Sequence, residues 1–172
     1  MGFLRNLFEP PEIPSQPSMP MVTTGLPQKA INDILNGKQP ILKVTKVALK
    51  NNESCLFYDH AVRIDVKLRT VGHQRTRDGF NIRIVSGLNY RTGKGLTKTI
   101  RDNVPEFQEG KLYITNQRII FSASRKSFAK KISSLISYNI EDDYLYLQFE
   151  RGNYWIYLPM IACADKVMDK LI

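Results

Sequence analysis

The amino-acid sequence predicts a mainly β protein, with about seven short antiparallel strands closed by a C-terminal α-helix. Segments rich in β-branched and aromatic residues recur from position 42 onward, and turn signals with asparagine or glycine separate them. In residues 61–68 apolar and polar side chains alternate, which is typical of a strand with one buried face. Residues 159–172 carry apolar side chains at three- and four-residue spacing, which predicts a helix whose apolar stripe covers the sheet.

The composition divides the 172-residue chain into three parts. Residues 1–26 combine a short amphipathic turn with a linker that holds five of the nine prolines, so we expect an extended segment. Residues 27–41 contain a short helix, with Pro27 in its first turn and Gly37 at its end. Residues 42–172 form the predicted β domain.

Individual strands are predicted from runs of residues that favour an extended backbone. Within 61–68, we expect the four aliphatic residues to face the core and the three charged residues to face solvent. Residues 91–108 lack periodicity, so we expect a long, basic, mobile loop there. The other strands are predicted over 42–49, 54–58, Phe80–Val85, 111–115, 118–122, 132–140, Tyr144–Phe149 and 154–158.

The positive charge is concentrated in one region. The formal net charge is +9, and residues 60–101 alone hold ten basic side chains against two acidic ones. This excess favours an anionic partner, whether a phosphoinositide, an anionic membrane, a nucleic acid or an acidic protein, although a solvated basic surface explains it equally. A second basic run surrounds Phe128, which would insert into a membrane interface, stack on a base or fold inward. The anion-binding candidates are Lys67, Arg69, Arg75, Arg77, Arg91, Lys94, Lys98, Arg101, Arg125, Lys126, Lys130 and Lys131.

The last predicted hairpin, formed by 144–149 and 154–158, carries aromatic residues at alternating positions. We expect its leucines to face the core, which places the aromatic side chains on the outer face. An exposed aromatic patch of this size indicates a protein interface, whereas the opposite register would make these residues part of the core. The protein-interface candidates are Tyr144, Tyr146, Trp155 and Tyr157.

Several functional classes lack support in the sequence. Cys55 and Cys163 form no C-x-x-C pair, and as free thiols they suit a reducing compartment. His60 and His73 match no familiar metal-ligand spacing, and the glycines near Gly93 match neither a P-loop nor a dinucleotide fingerprint. We therefore predict no catalytic residue, no metal and no cofactor. No secretory signal and no apolar run of about 18 residues is present, so we expect a cytoplasmic protein.

Residues 110–121 read Gly-Lys-Leu-Tyr-Ile-Thr-Asn-Gln-Arg-Ile-Ile-Phe. This run resembles the hairpin of GRAM and bacterial PH-like domains: a glycine, an aliphatic-aromatic strand, a Thr-Asn turn, a basic residue and an aliphatic run ending in phenylalanine. Residues 132–172 follow in the element order of that family, and residues 79–91 are similar to segments of uncharacterised bacterial and phage proteins. The resemblance implies a PH-like split antiparallel barrel of about seven strands closed by a C-terminal helix. Members of the family bind phosphoinositides or other lipids in some cases and proteins or peptides in others, and the resemblance supplies no catalytic residues.

Together these observations favour a non-enzymatic binding module that docks a protein partner, with its basic face as a second contact. The alternative is peripheral binding of phosphoinositide or anionic membrane through the basic face, with the turn at 1–8 as an auxiliary anchor. Nucleic-acid binding is a second alternative. The charge suits it, but no RRM, KH, helix-turn-helix or zinc-finger signature is present.

Overall fold

A computed structural model describes the side chains at 18–70 and 103–172, and the backbone alone at 71–76, 80–85, 88–92 and 96–102. The chain divides into two compact units. We call Ser18–Asp65 together with Glu106–Ile172 the main unit, and Val66–Pro105 the ribbon unit. The amphipathic turn predicted at 1–8 and most of the proline-rich linker lie outside the described residues.

Two helices and nine strands form the described elements. The helices are α1 (Gln28–Leu35) and α2 (Ile161–Met168). The strands are β1 (Cys55–Thr76), β2 (Phe80–Val85), β3 (Leu88–Thr92), β4 (Leu96–Thr115), β5 (Arg118–Ala123), β6 (Phe128–Lys131), β7 (Leu135–Glu141), β8 (Tyr144–Phe149) and β9 (Asn153–Tyr157). Seven strands make one sheet in the order β6-β5-β4-β1-β9-β8-β7, and β2 and β3 pair separately. The strand pairs β1–β9, β2–β3, β4–β5, β5–β6, β7–β8 and β8–β9 are all antiparallel. A mainly β fold with a C-terminal helix is therefore confirmed.

The seven-stranded sheet is strongly curled. Strands β6 and β9 are four places apart in the sheet, which corresponds to about 19 Å across a flat sheet. Yet the ring centroids of Phe128 on β6 and Tyr154 on β9 lie only 4.0 Å apart. The two edge strands, β6 and β7, are joined by a single 3-10 turn at Ile132–Ser134, but no described ladder pairs them. The sheet is thus open at this seam, so its closure into a barrel is not confirmed.

The concave side of the sheet encloses the main core. Both helices contribute to it: Ile31 and Ile34 of α1 are buried, as are Val167 and Met168 of α2. The two helices pack against each other. The apolar stripe predicted for the C-terminal helix therefore covers the sheet as expected, although the regular helix is shorter than the predicted span 159–172.

Three strand predictions are wrong in their extent. Residues 42–49 form no strand, and their only ladder contact is a bridge between Leu42 and Cys55. Instead they lie over the convex side of the sheet, where their apolar residues cover Cys55, Tyr113 and Ile120. The predicted strands at 54–58 and 61–68 are one continuous strand, β1. The loop predicted at 91–108 is mostly strand, because β4 begins at Leu96.

The predicted burial of the apolar positions in 61–68 is confirmed for Val62 but is wrong for Val66 and Leu68. Val66 and Leu68 are 64% and 62% exposed, whereas Arg63 and Asp65 are half-buried. The Arg63 guanidinium lies 4.9 Å from the Tyr154 ring centroid and donates two N–H bonds to Asp65 Oδ1 at 2.9 and 3.1 Å. An arginine that covers an aromatic ring and is neutralised by a neighbouring carboxylate is well accommodated inside a small sheet. Apolar and polar residues do alternate along 61–68, but this alternation does not identify which face of the strand is buried.

Candidate docking surface

The outer face of the β8–β9 hairpin carries four aromatic side chains, which we call the aromatic face: Tyr144, Tyr146, Trp155 and Tyr157. They form two directly opposed cross-strand pairs, with ring centroids 5.8 Å apart for Tyr144 and Tyr157 and 4.8 Å apart for Tyr146 and Trp155. The alternate residues Leu145, Leu147 and Ile156 are fully buried. One side of the hairpin therefore packs in the core, and the aromatic residues lie on the outer side. This confirms the predicted register.

Exposure differs among the four aromatic residues. Trp155 is 40% exposed, while the three tyrosines are half-buried. On β1, the half-buried Ile64 lies opposite Trp155, so the apolar surface continues onto the next strand at that position. Trp155 is therefore the most accessible large apolar group of the aromatic face.

An acidic turn adjoins this surface. The turn from β7 to β8 contains Glu141, Asp142 and Asp143, all exposed, and leads directly into Tyr144. Asp142 has a φ of 53°, a conformation that aspartate tolerates better than most residues, so the acid has a role in reversing the chain. The aromatic face thus has a negative edge in a chain whose net charge is +9.

The Thr-Asn-Gln-Arg turn at 115–118 holds the neighbouring loop. Thr115 Oγ1 donates to Glu53 Oε1 at 2.7 Å, and Arg118 donates to both oxygens of Glu53 at 2.7 and 2.9 Å. Asn116 accepts from the backbone N–H of Ser54 and donates to the carbonyl of Asn52. These bonds fix the loop between residues 48 and 54 against the hairpin. The polar side chains of the turn are therefore used in hydrogen bonds within the protein.

We call the bonds that Thr115 and Arg118 donate to Glu53 the clamp, and Glu53 is its centre. Its side chain is fully buried, and the Arg118 guanidinium, helped by the Lys50 N–H and the Thr115 hydroxyl, lowers the pKa of Glu53 to about 2 although burial opposes ionisation. Gly110 at the other end of the run lies against β5. A Cβ at Gly110 would be 2.5 Å from the carbonyl oxygen of Ser122, which explains why glycine stands there.

A second anchor fixes residues 18–26 to β1. Asp59 is fully buried, and its Oδ1 accepts from the Thr24 hydroxyl and from the backbone N–H groups of Gly25 and His60. The Nδ1 of His60 lies 2.8 Å from the Thr23 carbonyl; because a carbonyl can only accept, this nitrogen carries the proton. Sequence reasoning missed this role for Asp59 and His60, since their partners lie more than 30 positions away.

A cleft of about 560 Å³ lies between these anchored segments and the convex side of the sheet. Lys111 and Ser122, paired across β4 and β5, line it together with His60 and Lys46. Glu109 lies on the same wall. The lining therefore includes two basic residues, Lys46 and Lys111, and one acidic residue, Glu109. Lys46 and Lys111 were not among the sequence candidates, because nothing in the sequence connects them.

The second basic run does not form one anion-binding surface. Lys126 Nζ binds Asp65 at 2.7 Å and Glu106 at 2.5 Å, and Lys130 donates to the Arg151 carbonyl. Arg125 and Lys131 are exposed. Phe128 lies inside, stacked on Tyr154, so the inward placement allowed by the sequence is the one observed.

Most of the other anion-binding candidates lie in the ribbon unit. Lys67 and Arg69 are exposed on β1, and Arg75 lies further along the same strand. Arg91 lies on β3, and Lys98 and Arg101 lie on β4. Arg77 and Lys94 lie outside the described residues.

Both cysteines are buried free thiols, and burial raises the pKa of Cys55 to about 11. Within the described part of the chain, no three histidine, cysteine or acidic side chains come together as they would around a metal ion. None of the described helices has both the length and the apolar character needed to cross a bilayer.

Comparison with protein-family models gives no match to this chain. Curated proteins and solved structures likewise give no significant match.

Proposed function

We propose that this protein is a non-enzymatic docking module whose aromatic face binds a protein partner. The observation that carries the proposal is the pair of cross-strand aromatic contacts on the outer side of a hairpin whose inner side is already packed in the core. Cross-strand pairs stabilise a sheet by only about 0.2–1 kcal/mol each, so hairpin stability does not require four aromatic residues at these positions. Tryptophan and tyrosine are the residues that dominate protein interfaces.

The charges beside the aromatic face indicate the chemistry of the partner. The acidic turn at 141–143 is exposed and directly precedes Tyr144. Carboxylates next to aromatic rings favour lysine and arginine side chains, which gain both ion pairing and cation–π contact. The proposed partner therefore presents a segment in which apolar side chains contact Trp155 and a basic side chain meets the acidic turn.

We also propose that the scaffold is a PH-like split barrel. Three features support it: the curled sheet with an open seam, the helix α2 in its concave side, and the GRAM-like run that forms the β4–β5 hairpin. Peripheral binding to anionic lipid stays an alternative prediction, but Lys126 and Lys130 of the second basic run are engaged within the protein.

Trp155→Asp should abolish partner capture without unfolding the chain. The side chain is 40% exposed, so a carboxylate there stays solvated, while any partner pocket filled by the indole loses its occupant. We would use full-length wild-type and variant chains as bait in lysate of the native cell, identify species lost with the variant, and titrate the purified partner. We expect binding at least about 30-fold weaker, the effect of one interface hot spot.

The matched control is Ile41→Asp, which places the same charge at an apolar side chain that is 75% exposed and outside the sheet. This variant should capture the partner as the wild type does. If all three baits capture the same species with equal affinity, the aromatic face is not the docking surface. A large fall in melting temperature for Trp155→Asp would contradict its placement on the outside.

The double variant Asp142→Asn/Asp143→Asn should weaken binding of the same partner by roughly three- to tenfold at low salt. These carboxylates are exposed at the rim, where a charge changes the association rate and its salt dependence more than the dissociation rate. Stopped-flow association at several ionic strengths measures this directly. A double variant whose association rate equals that of the wild type at every salt concentration would exclude a basic partner segment.

A further inference from the structure

A second cleft, of about 420 Å³, lies where the β4–β5 turn meets the end of β6. Residues 116–118 line it from the turn, and residues 131–133 line it from the end of β6. The backbone N–H of Ile132 donates to the Gln117 carbonyl at 3.0 Å, so these two segments are bonded to each other. Lys50 adds a third segment, the loop that the clamp fixes against the same turn. The cleft is therefore built from three segments that hold one another in place.

The charged side chains that line this cleft are basic, and we call it the basic cleft. Lys50, Arg118 and Lys131 line it, and no described residue in its lining is acidic. Lys50 and Lys131 are exposed, and neither ammonium group forms an ion pair in the part of the chain whose side chains are described. Ser133 adds an exposed hydroxyl to the lining. The cleft beside His60, by contrast, includes an acidic residue.

Two of the three cations face each other directly across a strand pair. Arg118 on β5 is the register partner of Lys131 on β6. Side chains at directly opposed positions lie on the same face of a sheet with their Cβ atoms about 4.5–5.5 Å apart, and like charges there are destabilising. The buried Glu53 carboxylate offsets one positive charge, because it accepts from Nε and Nη2 of Arg118. Three positive charges and one negative charge leave +2 at the basic cleft, so the site favours an anion.

We propose that the basic cleft binds the phosphate group of a small phosphomonoester. Such a group carries a charge of about −1.5 to −2 at pH 7 and three strongly accepting oxygens. Its charge balances that of the cleft, and its oxygens accept hydrogen bonds from the two ammonium groups and the Ser133 hydroxyl. A carboxylate offers about half of that charge and only two oxygens. The cleft volume lies within the range of about 300–1,000 Å³ that is usual for small-molecule sites, so room remains for the group that carries the phosphate.

A nucleic acid suits the basic cleft less well than a phosphomonoester does. Its phosphates are diesters with one negative charge each, and single strands bind by stacking their bases on aromatic rings. No aromatic residue is among the described residues that line the cleft. A phosphomonoester also forms the headgroup of phosphatidic acid, so the same chemistry has a soluble source and a lipid source.

The test is a titration of the full-length, nitrogen-15-labelled chain with glycerol 3-phosphate, followed by the amide resonances. Saturable shifts are expected at 116–118 and 131–133, the two backbone segments that line the cleft. Lys50→Ala/Lys131→Ala should weaken binding at least about tenfold, because each lysine supplies a charge-assisted hydrogen bond. Acetate should bind at least about tenfold more weakly than glycerol 3-phosphate, because its charge is smaller.

The matched control is Lys29→Ala/Lys166→Ala, which removes two positive charges from exposed positions of α1 and α2 and should change the affinity less than about threefold. Lys131→Ala alone should keep the wild-type melting temperature or raise it, because it removes the like charge opposite Arg118. Trp155→Asp should leave binding of glycerol 3-phosphate unchanged, since Trp155 does not line the cleft. A failure of this site and a failure of docking through the aromatic face are therefore distinguishable.

Vesicles of phosphatidylcholine with and without phosphatidic acid identify the source of the phosphate. Binding that requires phosphatidic acid and is lost in Lys50→Ala/Lys131→Ala assigns the cleft to a lipid headgroup. Binding of glycerol 3-phosphate without binding of these vesicles assigns it to a soluble ester. The proposal is overturned if neither form of the phosphomonoester binds, if the two double variants lose affinity equally, or if acetate binds as tightly as glycerol 3-phosphate.

Discussion

Glu53→Gln should destabilise the main unit by about 3–5 kcal/mol, because it leaves the Arg118 guanidinium half-buried without its counter-charge. The carboxylate accepts four bonds from Arg118, Thr115 and Lys50, and a neutral amide cannot replace the ion pair. The loss should appear as a fall of the melting temperature by about 10 °C or more. Thermal unfolding followed by circular dichroism measures it.

The same residue predicts how stability depends on pH. The pKa of Glu53 is lowered from 4.5 to about 2 in the folded protein, so its ionised form stabilises the fold above pH 4.5. That contribution, about 3 kcal/mol, is lost as the pH falls from 4.5 toward 2. Burial opposes ionisation of Asp65, but its bonds to Lys126 and Arg63 together with the charges of these residues outweigh burial and lower the pKa of Asp65, which adds to the same acid range. In a plot of the free energy of unfolding against pH, Glu53→Gln should therefore make the fall below pH 4.5 shallower without abolishing it.

Asp33→Asn is the control for this experiment. Asp33 forms an ion pair with the exposed Lys38 at 3.6 Å, and exposed pairs of this kind contribute at most about 1 kcal/mol. The melting temperature of the control should lie within a few degrees of that of the wild type. Its stability should fall at acid pH as steeply as that of the wild type. Should Glu53→Gln behave like Asp33→Asn, the clamp on the loop at 48–54 contributes no stability, and the turn at 115–118 has another role.

The elements that sequence reasoning predicted well are those whose partners lie nearby along the chain. The β8–β9 hairpin has aliphatic or aromatic residues at every second, inward-facing position and a glycine in its turn, so its strands, its register and its outer face all follow from local pattern. The C-terminal helix has one apolar stripe and one place to bury it. In both cases the local pattern and the final packing agree, which is the condition under which sequence alone determines an element.

The predictions that are wrong depend on contacts far along the chain. Asp59 and His60 interrupt the apolar pattern of β1, which suggested two strands. They do not break the strand, because the segment at 23–25 supplies partners for both side chains. The strand at Leu96–Thr115 contains glycine-flanked, threonine- and lysine-rich sequence without alternation, and it is extended because β1 is its neighbour in the sheet. Pairing, rather than intrinsic preference, determines such a strand.

The sites also divide into those that follow from a local sequence pattern and those that depend on contacts between distant residues. The aromatic face could be predicted because its residues lie on one hairpin. The clamp joins Glu53 to Arg118 and the cleft joins Lys46 to Lys111, and no local pattern connects residues more than 60 positions apart. The basic candidates were identified by charge, but only the fold shows that they divide into engaged lysines near β6 and a separate unit at Val66–Pro105.

Phe128→Ala should destabilise the main unit by about 3 kcal/mol, because this ring links the edge strand β6 to β8 and β9 on the other side of the curled sheet. It stacks on Tyr154 at 4.0 Å and contacts Phe121 at 5.9 Å and Phe149 at 6.5 Å, and the Arg63 guanidinium lies 6.0 Å from its centroid. Truncation of a large buried ring costs about 3–5 kcal/mol, and partial exposure of Phe128 places the value at the low end.

A double-mutant cycle with Tyr154→Ala separates the stacking from simple loss of apolar area. If the two rings hold the sheet together across its open seam, the two losses should not add, and the coupling should be about 1 kcal/mol or more. Ile136→Ala, at an exposed edge position of β7, should cost less than about 0.5 kcal/mol. Strictly additive losses in the cycle, with a Phe128→Ala effect no larger than that of Ile136→Ala, would mean that the sheet does not curl back on itself. In that event the hairpin that displays the aromatic face would lack the rigid support on which docking depends, since a surface of rings binds tightly only when its backbone is already fixed.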